Sequence, residues 1–186
     1  MEYAFRKSAF EKEKTYVLTK DGIEVSDLDG PKTVYKYADI EQVNTSFAAS
    51  KNNSFYQCRL KLTNGLSLSL KSQHYRGIAD FEDRDEAYST FVTRLHKLLA
   101  VSNPHVVYKK GIGMIGYIAS MLVFTIAGLL LPIGSIAALI TGSILYGVIG
   151  VIASILLILR MVKYTRKNKP GKYSPDNIPK ALLPCH

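Results

Sequence analysis

The chain has 186 residues, 47% of them hydrophobic, with 24 Lys/Arg against 15 Asp/Glu and a formal net charge of +9 at pH 7. The charge is uneven: residues 1–108 carry 15 Lys/Arg and 14 Asp/Glu, Lys109 and Lys110 follow, and residues 160–186 carry seven bases and one acid. A nucleic-acid binder clusters its bases with aromatics on the soluble part, so a nearly neutral first 108 residues exclude that reading.

Met1 to Lys7 contains no apolar stretch of signal-peptide length, and the first membrane helix is expected to serve as the targeting signal. Residues 14–80 read as short strands punctuated by turn residues. Thr15 to Leu18 leads through Lys20-Asp21-Gly22 into Ile23 to Val25, a hairpin signal. Asp29-Gly30-Pro31 precedes Thr33 to Tyr37, Ile40 to Phe47 alternates, and Ala48 to Ser54 reads as a polar loop. Phe55 to Leu62 and Leu66 to Leu70 flank the turn Thr63-Asn64-Gly65, with Leu60, Leu62, Leu66, Leu68 and Leu70 at period two, which buries one face and wets the other.

After the acidic run Asp80 to Glu86, which suits a helix N-terminus, Tyr88, Phe91, Val92, Leu95, Leu98 and Leu99 form an apolar stripe of helical period. Ser89, Thr90, Thr93, Arg94, His96 and Lys97 read as its solvent face. Residues 1–103 are thus expected to form one soluble domain, with 104–110 as a linker.

Gly111 to Leu159 is 49 residues without Asp, Glu, Lys, Arg or His. About 20 apolar residues cross a bilayer, so this run suits two crossings, with helices at about 111–131 and 135–159 and a turn at Leu131-Pro132-Ile133-Gly134-Ser135. Bases on both flanks of the hairpin, at Lys109, Lys110, Arg160, Lys163, Arg166, Lys167, Lys169 and Lys172, place both termini in the cytoplasm by the positive-inside rule. The same bases would attract anionic headgroups, although topology alone demands them. Pro170, Pro175, Pro179 and Pro184 end helix in the 160–186 tail. Ile178, Leu182 and Leu183 suit docking on a groove, such as one on the chain's own barrel, or a disordered end.

Strands capped by one C-terminal helix in about 100 residues follow the order of a pleckstrin-homology domain. Tyr35-Lys36-Tyr37-Ala38-Asp39-Ile40-Glu41-Gln42-Val43, Leu60 to Leu68 and Tyr88 to Leu99 resemble the bacterial pleckstrin-homology-like membrane proteins, in which a Y-x-D-I-x-x-V strand, a hairpin and a closing helix recur. The resemblance implies an α+β fold, a small antiparallel barrel or sandwich capped by one helix, followed here by the transmembrane hairpin, in a bacterial inner membrane. Eukaryotic members often bind phosphoinositides through the loop joining the first two strands. That loop is expected at Thr19 to Gly22, whose single base and acid disfavour such a ligand.

Gly111-Ile112-Gly113-Met114-Ile115-Gly116 spells a dinucleotide fingerprint, yet Lys109-Lys110 stand where a buried strand is required and no acid follows before Asp176. Gly116 and Ser120, with Ala138, Gly142, Gly150 and Ser154, instead recur at spacings of four or eight that let helices approach, within the hairpin or in a homo-oligomer. Lys71, His74 and Arg76 could rim an anionic ligand or lie in a solvated loop. His96, His105 and His186 share no ligand spacing, Cys58 and Cys185 form no metal or redox motif, and the sequons at Asn44 and Asn52 need the opposite side of the membrane. No catalytic constellation, metal or cofactor is expected. The leading expectation is a non-enzymatic membrane-anchored module that binds a protein partner or acidic ligand at the cytoplasmic face. The alternative is a small oligomeric channel or transporter-associated subunit with a regulatory domain, against which stands the lack of ionisable groups among the 49 residues.

Overall fold

A computed structural model describes residues 1–28, 30–48, 55–78 and 80–184, and the backbone of Ala49 and Ser54. Asp29, the sequon at Asn52, Cys185 and His186 lie outside the described residues. The chain divides into two units, one of residues 1–111 with 171–186 and one of 112–170.

The first unit is α+β. Strands β1 (Glu2–Phe5), β2 (Lys14–Leu18), β3 (Gly22–Asp27) and β4 (Lys32–Lys36) form an antiparallel sheet in that order. Its alternation is legible in Tyr3 and Phe5, Tyr16 and Leu18, and Ile23 and Val25, all turned into the core while their neighbours face out. β5 (Ile40–Ala49), β6 (Ser54–Leu62) and β7 (Ser67–Lys71) make a second meander, with Gly65 at φ +84° in the turn where a side chain would be strained. The hairpin β8 (Gln73–Gly77) and β9 (Asp80–Asp83) then leads into α1 (Asp85–Ser102). β10 (Val107–Lys110) adds to the second sheet parallel to β5. β11 (Gly171–Lys172) closes that sheet's edge antiparallel to β10, giving the order β11-β10-β5-β6-β7. No sheet closes on itself among the described residues, so the core lies between two open sheets and a helix rather than within a barrel.

α1 buries Tyr88, Phe91, Val92, Leu95 and Leu99, at roughly 1.5–3 kcal/mol each. Its polar face departs from expectation at one position. His96 is fully buried, because the face it occupies is covered by Tyr108 of β10 and by Tyr173 beyond β11. Of the segment expected as a linker, 104–110, residues 107–110 are the strand β10 of the sheet.

The second unit is a pair of packed helices, α2 (Met114–Ile140) and α3 (Ile144–Asn168), with mean hydropathy of 2.3 and 2.4 in their most apolar windows. Both are long and apolar enough to cross a membrane. The turn is not at Pro132, which lies inside α2. Proline is tolerated within apolar spanning helices, and the stop is supplied instead by Gly142 at φ +82°. The Gly142 N–H bonds Leu139 O and the Ser143 N–H bonds Ala138 O, a Schellman ending that satisfies the last carbonyls. The later turn leaves α3 uncharged only from Ile144 to Leu159, about 24 Å of helix. Arg160, in a span of the ~30 Å core, would have to snorkel.

Candidate functional site

The loop joining the first two strands is Arg6 to Glu13, because β1 precedes the strands expected from residue 14 onward. The signal for β1 was the alternation of Tyr3 and Phe5, four residues long and at the terminus. The loop winds around one side chain. Arg6 Nε donates to the carbonyls of Ser8 at 3.1 Å and Glu11 at 2.9 Å, and a terminal nitrogen donates to Ala9 O at 2.8 Å. The guanidinium also stacks on the Tyr75 ring, 5.5 Å from its centroid. All this holds Phe10 outward, 99% exposed.

Against this loop lies β8, and between them runs a groove of about 550 Å³ lined by Phe10, Lys12, Leu28, His74, Tyr75 and Arg76, among others. The β8 backbone is stitched to β1, with Tyr75 N–H bonding Arg6 O at 2.8 Å and the Arg6 N–H donating to His74 Nδ1 at 3.2 Å. His74 therefore presents an unprotonated Nδ1. Burial, with Arg84 nearby, lowers its pKa, and Glu13 and Glu82 only partly oppose this. Arg76 is engaged by Glu82, at 2.8 and 2.9 Å, and Lys7 by Glu11 at 3.0 Å. Burial raises Glu82, but the Arg76 hydrogen bond and the Arg84 charge outweigh it and leave the carboxyl below its usual range.

The expected rim is divided. His74 and Arg76 share the groove, whereas Lys71 lies on β7 with its ammonium 4.9 Å from the Phe55 ring centroid. Burial, then the Lys7 charge, lowers the Lys71 pKa. The groove thus mixes apolar side chains, Phe10, Leu28 and Tyr75, with nearly balanced charge. Leu28 in its lining is 61% exposed, and on the β8–β9 hairpin Ile78 is 96% exposed and Phe81 stacks edge-on against Tyr75 at 5.6 Å.

Of the bases expected to meet lipid, Lys109, Lys110 and Lys172 lie on the β10–β11 ladder, where Lys109 faces Lys172. Arg160, Lys163, Arg166 and Lys167 extend α3, which carries helix well into the supposed tail, and Lys169 follows its end. The small residues also separate. Gly150 and Ser154 face the partner helix, where Gly150 meets Ser135, while Ala138 and Gly142 build the turn. A Cβ at Gly116 would meet only the Ile112 side chain, at 4.0 Å, and Ser120 bonds back to the Gly116 carbonyl. Gly147, against Leu139 and Ser135, is a packing residue that the spacing rule missed.

The tail docks on the first unit. Leu182 is fully buried, Leu183 packs against the core, and Tyr173 enters a polar seam. Its hydroxyl lies 2.7 Å from His96 Nε2 and 2.9 Å from Thr45 Oγ1, and His96 Nδ1 lies 2.7 Å from Val92 O. Asn44 of the other sequon precedes Thr45 within paired β5. Burial pushes the Cys58 thiol up to about 12, a hydrogen bond with Thr45 opposing, so it is an inert core group.

Comparison with protein-family models, curated proteins and solved structures finds no match to this chain.

Proposed function

We propose that this chain is a membrane-anchored, pleckstrin-homology-like module without enzymatic activity, which docks a protein partner at the cytoplasmic face through the groove between the Arg6–Glu13 loop and β8. A four-stranded sheet, a three-stranded meander and a closing helix, in that order, support the family resemblance. Two long helices with most of their apolar side chains exposed support the anchor, since water would strongly disfavour that surface.

Phe10 carries the reading. An aromatic side chain held wholly in solvent by three hydrogen bonds to its own loop is a preorganised anchor, the residue type that dominates binding energy when a partner pocket receives it. Glu11 and Glu13 line the groove beside Arg6 and Lys12, and Glu82 pairs with Arg76, so little net positive charge is left there, which favours a protein surface over a phosphorylated ligand. A photo-crosslinking residue at position 10 of the full-length protein, irradiated in native membranes, tests this. Crosslinks to a protein that disappear with Arg6→Ala support the reading. Crosslinks to lipid alone, or none, overturn it.

A further inference from the structure

We propose that Gly171–Pro184 is a proton-released strap: it stays docked on the first unit while His96 is neutral, and it undocks, leaving the rest of the unit folded, when His96 takes up a proton. The direction of the hydrogen bonds carries this. Val92 O can only accept, so His96 Nδ1 bears the hydrogen and Nε2 must accept from the Tyr173 hydroxyl. Tyr173 oxygen then accepts from Thr45 Oγ1. Every proton in the seam is placed by one backbone carbonyl.

A proton on Nε2 breaks that order. Nε2 then donates, Tyr173 must turn its hydrogen to Thr45, and Thr45 must turn its own to Cys58, whose sulfur is a weak acceptor. The groups facing His96 are Tyr108 from β10 and Tyr173 from the strap, with Thr45 of β5 beyond Tyr173; Cys58 of β6 acts electrostatically on both tyrosines. Burial holds the phenols and the thiol protonated, so none supplies a counter-charge, and Asp176, which acts on Tyr108, leaves with the strap. Burial depresses His96 to about 4, the Val92 hydrogen bond opposing.

The strap is the element that yields. α1 is fixed by five buried apolar side chains, whereas the strap is held by a two-residue ladder, the Tyr173 contacts, a 3.2 Å bond from Tyr173 N–H to Tyr108 O, and Leu182 with its neighbours. Its bed is imperfectly satisfied, since the buried hydroxyls of Tyr88 and Tyr108 find no partner among the described residues. Release leaves β10 as the sheet's free edge.

Hydrogen–deuterium exchange of the full-length protein in detergent, at pH 7 and pH 5 and corrected for intrinsic rates, tests the proposal. With His96 near 4 docked and near 6.5 released, docking should weaken roughly twentyfold between those pH values. Protection of 171–184 should fall by that factor and stay below that of the β5–β6 ladder, which opens only with the whole unit, and His96→Gln should flatten the response. Strap protection unchanged with pH, strap and β5–β6 ladder equally protected at pH 5, or the same response in a folded His96→Gln chain overturns it. If His96→Gln does not fold, the ratio of strap to β5–β6 protection in the unmodified protein decides alone.

Discussion

The Tyr173 hydroxyl donates to His96 Nε2 at 2.7 Å, joining a residue that follows the second apolar helix to the helix that precedes the first. The hairpin is therefore an insertion within one folded unit. Lys110 and Gly171 are Cα partners in the β10–β11 ladder, so a loop of about four residues can replace 112–170. That shortened chain should be soluble and unfold cooperatively. A chain ending at residue 103 lacks β10 and the strap, leaves the β5 edge bare, and should aggregate or unfold at much lower denaturant. Equal midpoints for the two would show that β10 and the strap add nothing.

Tyr173→Phe removes one hydroxyl that serves two partners and leaves His96 Nε2 unsatisfied and Thr45 Oγ1 with only the Cys58 thiol in a buried seam. The expected loss is about 1–3 kcal/mol of unfolding free energy in the shortened chain. Tyr173→Ala also empties the ring's volume and should cost about 3–5 kcal/mol. Urea titration by circular dichroism separates these, and indistinguishable midpoints would contradict the hydrogen-bond assignment.

Acid should destabilise this unit through His96. Its folded pKa is lowered to about 4, so the unfolded state binds the extra proton between that value and about 6.5. The contribution is complete above about pH 6.5 and is lost as pH falls through that window, by roughly 3 kcal/mol at most. His96→Phe should remove this slope. His96→Asp, which a solvent-facing position would accept, should cost several kcal/mol because it buries a carboxylate in the seam.

Local patterns were strong enough to be read where a face is buried continuously. Leu60, Leu62, Leu70 and the Tyr88 to Leu99 stripe lie in or against the core as the sequence places them, whereas Leu66, beside the Gly65 turn, is 55% exposed. His96 was not legible, because its burial comes from Tyr173, 77 positions away, and no helical period reports a distant cover. Pro132 misled for another reason: its local rule is calibrated on helices in water, and the Gly142 ending three turns later was the operative stop. Phe10 was legible only as an aromatic in a charged loop. Its presentation depends on Arg6 bonding three carbonyls, which residue spacing does not encode.

The insertion also constrains topology. Residues on either side of the hairpin pair in one sheet, so if α2 and α3 both span, the two ends share one side of the membrane. Single cysteines introduced at Asp21 and Ser174, both exposed, should react alike with an impermeant reagent. Protection of both in intact cells and labelling after lysis would place them in the cytoplasm. Opposite behaviour at the two sites would mean that one helix does not cross.

Helix packing in the second unit rests on Gly147 and Gly150, and it separates sharply from the other glycines. A Cβ at Gly150 would overlap the Ser135 side chain, and one at Gly147 would overlap Leu139, whereas Gly128 and Gly134 have nothing within 4 Å of such an atom. Ser135 cannot simply swing away, because its hydroxyl donates to Leu131 O at 2.7 Å in the turn that Pro132 disrupts. Gly150→Val should therefore force α3 off α2, and Gly134→Val should leave the pair intact. Crosslinking by a short bismaleimide between cysteines placed at Phe124 and Tyr164, whose rings meet at 5.5 Å, reads the outcome. Crosslinking should fall with Gly150→Val and persist with Gly134→Val. Equal trapping in both would show that the close approach at Gly150 does not hold the hairpin together.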